Sequence, residues 1–310
     1  MGILATSLSY GPPVLRDATV DASLISELQS AQEDQRALIS VVPGEGDVLG
    51  VWVFSGDVYA FRNKSGGATA GMYKSTSTGW SEVDLGTALK FDGTTTSGEP
   101  VPGDSGTATT LVGASSGAQG DLAGISYHGE WNTGAAGAMV LTNITGTFSD
   151  NENLTMPLLA YDSGSLEISE GDNIVGGTSG KTATVTSVTI STGTVAAGTA
   201  EGYISIKNNS GTWTDGEPIN INGVDHATVN GASQPSNVVV AVADGTQYAQ
   251  TINPGGLYEF TNYNFRGEST GLTMYGVNTV DNGFSFDGTT FIKMYVGMAT
   301  DTPEHIAAHQ

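Results

Sequence analysis

The chain from residue 50 onward alternates short apolar segments with turns rich in Gly, Ser and Asp, which predicts strands of four to six residues. The first predicted strands are Gly50–Phe54, Val58–Arg62, Ala70–Lys74 and Trp80–Leu85. Four short antiparallel strands within about 37 residues match the size of one β-propeller blade or a meander.

The last 60 or so residues show the same rhythm. The predicted strands there are Leu257–Phe265, Leu272–Val277, Gly283–Phe286 and Phe291–Tyr295. The phrase Phe-Asp-Gly-Thr-Thr occurs at Phe91–Thr95 and at Phe286–Thr290. Because Asp-Gly between apolar segments favours a tight turn, each copy predicts a hairpin.

One segment has helical spacing instead. Its apolar positions are Leu24, Ile25, Leu28, Ala31, Leu38 and Ile39. Asp21 or Ser23 could cap the start, and Pro43 closes the region. The pattern predicts a short amphipathic helix that packs its apolar stripe on a sheet; an interface helix in an oligomer is the alternative.

The middle of the chain, about residues 93 to 247, is poor in aromatic residues and contains an internal repeat. The phrase Gly-Thr-x-Ser/Thr-x-x-Glu-x-apolar recurs at Gly93–Val101, Gly146–Leu154 and Gly211–Ile219. The segments Gly137–Glu152 and Gly202–Glu217 match at a constant offset of 65 residues. Small β-modules in series explain this pattern better than one large core.

Together these patterns predict an all-β fold: antiparallel blade-like or meander-like sheets, an inserted array of small β-modules and one short N-terminal helix. The predicted domains are an arm and helix at 1–44, a blade-like domain formed by 45–92 plus 248–310, and inserted repeat modules at 93–247. Deleting the insertion is expected to leave the helix and the two blade-like units folded together.

Composition narrows the functional classes. The chain of 310 residues carries 10 Lys plus Arg against 32 Asp plus Glu, a formal charge of −22, and no cysteine. A chain with this negative charge is not expected to bind a phosphate backbone or an anionic lipid surface by electrostatic attraction. The absence of cysteine excludes disulfides, thiolate catalysis and cysteine zinc sites. No apolar run approaches a membrane span, and the first residues do not read as a signal peptide.

Candidate chemistry is sparse. The histidines are His128, His226, His305 and His309. The last two have the helical spacing of a metal pair, but no acidic residue lies between them, so a metal role is not expected. The acids that recur in the repeats are Glu99, Asp150, Glu152, Asp172, Asp215 and Glu217. Their recurrence at one turn favours hydrogen bonds to backbone N–H groups, with calcium binding and a glycosidase carboxylate pair as alternatives.

Other candidates are weaker. Ser105 and Ser179 lie in Gly-rich turns without a nucleophile elbow. The sequons at Asn63, Asn143, Asn153 and Asn208 are expected by chance in a chain rich in Ser and Thr. Several aromatic residues could stack on sugars but are more often core or cross-strand pairs. They are Trp131, Trp213, Tyr258, Phe260, Tyr263 and Phe265. We therefore predict no catalytic, cofactor-binding or metal-binding residues and no cofactor.

Three groups of phrases carry a resemblance to a known class. One combines Gly56–Arg62, Gly66–Thr69, Met72–Thr76 and Gly79-Trp80; another combines Met274–Asn278, Phe284–Thr289 and Thr302–His305. Both resemble virion structural proteins of tailed bacteriophages, in particular the β-propeller-bearing nozzle or tail-tip proteins. The phrase Gly177–Val185 is similar to small β-modules inserted in phage tail and fibre proteins. Two blade-like units around an insertion also fit a reduced, sandwich-like relative or part of a longer chain.

This resemblance implies a non-enzymatic virion protein at the tail or the head–tail junction, forming an oligomeric ring or tube for DNA passage. Its implied partners are copies of itself and other tail or connector proteins, with neither specific nucleic-acid binding nor a membrane span. The alternatives are a fibre or adhesin module that binds a host glycan, and a secreted glycoside hydrolase. The segment Thr302–Gln310 is expected either to pair with an exposed strand edge, of its own chain or of a neighbouring subunit, or to be disordered.

Overall fold

The computed structural model describes residues 24–31, 33, 40–95, 98–103, 108–265, 271–298 and 301–308, and shows an all-β protein with antiparallel sheets and one short helix. The helix, α1, spans residues 24–31. Its proposed caps Asp21 and Ser23, and Leu38 and Ile39, lie outside the described residues. The apolar side chains of Leu24, Ile25 and Leu28 are about half exposed. These side chains are therefore not buried on a sheet, contrary to the expectation for this stripe.

Two four-stranded sheets lie at the two ends of the described strand region, where both sets of short strands were predicted. The first contains β1 (Glu45–Phe54), β2 (Asp57–Asn63), β3 (Ala70–Thr76) and β4 (Gly79–Glu82). The second contains β17 (Glu259–Tyr263), β18 (Thr273–Val277), β19 (Phe284–Phe286) and β20 (Phe291–Lys293). Each sheet follows chain order, as in a meander.

These two sheets share one aromatic core. Phe54, Tyr59 and Phe61 of the first sheet are buried with Phe284 and Phe286 of the second. The Tyr59 and Phe286 rings meet edge to face at 5.5 Å between centroids. Sequence-distant strands thus bury their apolar faces against each other, which is the packing of a sandwich.

The strands between them form one large sheet that closes on itself twice. Its strands are β5 (Thr87–Asp92), β6 (Thr110–Gly113), β7 (Gln119–His128), β8 (Ala136–Thr145), β9 (Asn153–Gly164), β10 (Asn173–Gly176), β11 (Thr182–Thr192), β12 (Ala200–Lys207), β13 (Pro218–Ile221), β14 (Val224–Val229), β15 (Ser236–Ala243) and β16 (Tyr248–Ala249). Module 1 is the closed six-stranded ring β9-β15-β5-β8-β7-β6, and module 2 is the closed ring β9-β12-β11-β10-β13-β14. Strand β9 belongs to both.

The two modules are built alike. Gly137 of β8 lies opposite Phe91 and Tyr127, and Gly202 of β12 lies opposite Tyr161 and Ile190. Each module has its own core, around Leu89, Leu111 and Phe148 in module 1, and around Ile174, Ile204 and Trp213 in module 2. The internal repeat read from the sequence therefore corresponds to two structurally equivalent units.

Module 2 is inserted into module 1. In module 2, β13 and β14 form a hairpin whose turn is Asn222-Gly223. In module 1 the equivalent strands are β9 and β15, and the chain between them makes up module 2. The residues on either side of the insertion stay adjacent, since Ser236 of β15 pairs with Leu158 of β9.

The pairing of the strands tests the two predicted Asp-Gly hairpins and the assignment of β5 to a domain. Asp92-Gly93 does not form a hairpin, because the strand after β5 in the described residues is β6, which pairs with β7 and β9. Asp287-Gly288 does form one, between β19 and β20. Strand β5, assigned from sequence to the blade-like domain, pairs with β8 and β15 of the middle region. The division into domains otherwise stays a prediction.

The segment after β20 makes contacts within the chain. Thr279 N donates to Pro303 O at 3.1 Å, and His305 Nδ1 lies 2.8 Å from Glu259 Oε2. Ile306 is half-buried. Residues 301–308 form no strand.

Candidate functional site

The most conspicuous polar group of module 1 is the buried carboxylate of Glu152, which directly precedes β9. Its two oxygens accept hydrogen bonds from the backbone N–H of Ser115, Ser116 and Ser149, at 3.1, 2.9 and 2.6 Å. The hydroxyls of Ser115 and Ser116 add bonds of 2.9 and 2.8 Å. One side chain therefore joins the Ser115-Ser116 turn after β6 to the start of β9.

Glu217 repeats this arrangement in module 2. It accepts from the backbone N–H of Thr178, Ser179 and Thr214 at 2.9, 2.7 and 2.6 Å, and from the Ser179 hydroxyl at 2.8 Å. Only 1% of Glu217 and 5% of Glu152 are exposed, so neither carboxylate is presented to solvent.

A glycine makes room for each carboxylate. A Cβ on Gly113 would lie 2.4 Å from Glu152 Oε1, and a Cβ on Gly176 would lie 2.7 Å from Glu217 Cδ. Because the carboxylates are held by several bonds, they cannot move aside. The repeated phrase Gly113-Ala-Ser-Ser-Gly117 and Gly176-Gly-Thr-Ser-Gly180 is the sequence signal for the turn.

The hydrogen bonds set the charge of these groups. Burial alone would raise the pKa of Glu152, but the N–H and hydroxyl donors outweigh it and lower the pKa from 4.5 to about 2. The same balance lowers the pKa of Glu217. Both groups are therefore ionised acceptors at neutral pH, the opposite of a general acid.

The other recurrent acids divide into two groups. Asp150 accepts from Gly245 N at 2.8 Å, Asp215 from Gly231 N at 2.7 Å, and Asp172 from Ser169 N at 2.8 Å. Hydrogen bonds to backbone N–H groups, the favoured interpretation, are thus observed for these acids, although only Asp172 makes its bond within its own turn. Glu99 differs, because it accepts from the Tyr127 hydroxyl at 2.9 Å. The first sequence phrase, Gly93–Val101, therefore does not reproduce the carboxylate contacts of the other two copies.

The histidines and the remaining candidates are dispersed. His226 Nδ1 is 2.8 Å from Glu167 O, and His305, whose pKa Glu259 raises, is exposed. Within the described residues, no three His, Asp or Glu side chains are placed to hold a metal ion. Ser179 is engaged by Glu217, whereas Ser105 and His309 lie outside the described residues. In the described part of the chain, no helix has the length and apolar character needed to cross a membrane.

Most of the candidate aromatic residues are core residues. Trp213 is 1% exposed, and Trp131 packs against Phe91 and Tyr127, at 5.6 and 5.3 Å between ring centroids. Tyr258 and Phe260 stack at the edge of the sandwich core. Phe265 is 66% exposed and makes edge-to-face contacts with Tyr263 and Tyr275.

Sequence reasoning missed one feature, a cavity of about 310 Å³ in module 2. It is lined mainly by apolar residues, among them Tyr161, Val188, Ile190 and Val195. The sequence signal for this cavity is a change from a large to a small side chain. Trp131 of module 1 and Val195 of module 2 each begin a short 3-10 turn. No family model, curated protein or solved structure matches the chain.

Proposed function

We propose that this chain is a structural protein of a tailed-phage virion that forms a ring or tube with copies of itself at the tail or the head–tail junction. The observation that carries the proposal is the use of the recurrent carboxylates. Glu152 and Glu217, each buried, have their oxygens engaged by their own modules. The repeat is thus a building element, in keeping with the resemblance of its phrases to phage tail modules.

The charge of the chain supports passage of DNA. With a formal charge of −22, a ring of such subunits would surround its lumen with negative charge and repel a phosphate backbone. DNA would then slide through without adhering.

We further propose that the subunits meet at the exposed apolar surface of β1 and α1. Modules 1 and 2 are closed and offer few free strand edges to a neighbouring subunit. Exposed apolar side chains lie instead on β1 (Val51 and Val53, 53% and 58% exposed) and on α1. Apolar surface of this kind is typical of an interface.

Light scattering coupled to size-exclusion chromatography tests the proposal. We expect the full chain to form a closed oligomer whose mass falls to that of the monomer in the double variant Val51→Lys/Val53→Lys. Val224→Lys, at a valine of module 2 that is 50% exposed, is the control and should leave the mass unchanged. A monomeric wild-type chain at all concentrations would contradict assembly through this surface, and immunogold labelling of phage particles would test the virion location.

A host-glycan adhesin is the second candidate, and the exposed ring of Phe265, which packs against the half-buried Tyr263 and Tyr275, favours it. Sugar rings stack on such exposed aromatic faces. A glycan array probed with wild-type chain and with Phe265→Ala separates the two proposals. Binding that Phe265→Ala abolishes would support the adhesin.

A further inference from the structure

Module 2 contains a cavity at a position that module 1 fills with its own Trp131 side chain. In module 1, Trp131 begins the 3-10 turn between β7 and β8 and inserts its indole against Phe91 and Tyr127. Its Nε1 donates to Gly98 O at 3.1 Å. Trp131 is 7% exposed and belongs to the core of module 1.

At two of the three equivalent positions, module 2 carries a smaller side chain than module 1. Val195 begins the corresponding 3-10 turn between β11 and β12, in the place of Trp131. Opposite Gly202, Ile190 takes the place of Tyr127, and Tyr161 that of Phe91. These residues line the cavity of about 310 Å³, which is at the lower end of the range for ligand pockets.

The cavity opens to solvent through apolar residues. Leu166 and Ile190, at its margin, are 44% and 48% exposed although both are large and aliphatic. Glu167 also lines the cavity, and the whole chain is strongly acidic. A ligand with negative charge would be repelled, whereas a neutral or basic one would be attracted.

We propose that this cavity is a receptor site for the tryptophan side chain of a partner protein, presented on a neutral or basic segment. Module 1 supports this proposal, because the equivalent position there is occupied by an indole, that of Trp131, which is itself part of a polypeptide. The inference rests on the two modules alone and is independent of the virion proposal.

Three capped tripeptides test the site on the full chain by amide NMR titration. They are acetyl-Lys-Trp-Lys-amide, acetyl-Glu-Trp-Glu-amide and acetyl-Lys-Ala-Lys-amide. The first should bind saturably and shift the amides of Val188, Ile190 and Val195. The second should bind at least about threefold more weakly at low salt because of charge repulsion. The third should give no saturable shift at these amides.

Two substitutions test whether the Lys-Trp-Lys peptide binds in the cavity. Val195→Trp would supply the missing indole from within, so it should weaken binding of the Lys-Trp-Lys peptide by at least about tenfold and raise the thermal unfolding temperature. Val224→Trp, which places a tryptophan at an exposed valine that does not line the cavity, should bind as the wild type does. If Val195→Trp does not fold, Val195→Phe is the smaller replacement with the same expected loss.

Several results would overturn the proposal. These are no saturable shift with the Lys-Trp-Lys peptide up to its solubility limit, unchanged binding in a folded Val195→Trp or Val195→Phe variant, or equal binding of the alanine peptide. Equal affinity of the glutamate peptide would overturn the charge requirement. Binding of free indole without binding of either tryptophan peptide would show a small-molecule site and would refute a protein partner.

Discussion

At the scale of single residues, the buried glutamates explain why the repeat keeps one acid at a fixed position. A turn rich in Gly and Ser presents several N–H groups in close succession, and a buried carboxylate beside it needs such donors. Glu152 supplies both oxygens to one such turn and to Ser149 as well. A shorter Asp or a neutral Gln could not meet the same set of donors.

We predict that Glu152→Gln and Glu217→Gln each lower the free energy of unfolding by about 2–4 kcal/mol, because an amide nitrogen would face N–H donors in a buried site. Urea denaturation followed by circular dichroism measures the change. Glu170→Gln removes the same charge from an exposed position and serves as the control, with an expected change below about 0.5 kcal/mol. Equal effects in all three variants would refute the specific role of the buried pair.

The lowered pKa of Glu152 also predicts a pH dependence. A carboxyl whose pKa falls from 4.5 in the unfolded chain to about 2 in the folded protein stabilises the fold fully above pH 4.5. That contribution, about 3 kcal/mol at neutral pH, is lost as the pH falls from 4.5 towards 2. Urea denaturation at several pH values should show this loss in the wild type and a smaller one in Glu152→Gln.

At the scale of secondary-structure elements, strand β9 connects the two modules through its alternating side chains. Leu158 belongs to the core of module 1, and the next residue, Leu159, belongs to the core of module 2. Successive side chains of a strand point to opposite faces, so one continuous strand can contribute to two cores. The strand is 12 residues long because it closes both rings.

We predict that Leu158→Ala and Leu159→Ala have similar costs, about 2–4 kcal/mol, in different places. Native-state hydrogen exchange should show faster exchange in module 1 for the first variant and in module 2 for the second. Ile174→Ala, whose side chain is fully buried in module 2, should reproduce the pattern of Leu159→Ala. Uniform loss of protection in both modules for every variant would mean that the modules unfold as one unit.

The elements also show what sequence patterns can and cannot predict. Alternating apolar residues and turn chemistry were sufficient to locate β1 to β4 and β17 to β20 within a few residues. The recurrent acids were correctly interpreted as turn acceptors for Glu152 and Glu217, because they occupy the same position of two copies, whereas Glu99 of the first copy bonds to the Tyr127 hydroxyl instead. The phrase at Asp92-Gly93 failed as a hairpin signal, since local turn preference does not determine which distant strand pairs with β5. Ring closure likewise depends on pairings such as that of Val112 with Thr155, which no local pattern encodes.

At the scale of the whole molecule, module 2 interrupts module 1 at a site where the fold needs only a turn. Strands β9 and β15 run antiparallel, with Leu158 opposite Ser236. The equivalent hairpin of module 2 is closed by Asn222-Gly223, a dipeptide suited to a tight turn. The described architecture is therefore one module nested within another, and in the sequence both lie between the strands of the two sandwich sheets.

We predict that module 2 can be removed without unfolding the rest. Replacing residues 159–235 with Asn-Gly would join Leu158 to Ser236 through the turn that module 2 uses, and it retains the six residues of β9 that pair with β6 and β15. Circular dichroism and hydrogen exchange should show a folded chain with protected amides in β6 to β8. As the matched control, an Asn-Gly replacement of residues 154–235 removes that part of β9 and should open module 1. An unfolded product from the first replacement would show that module 1 depends on the core of module 2.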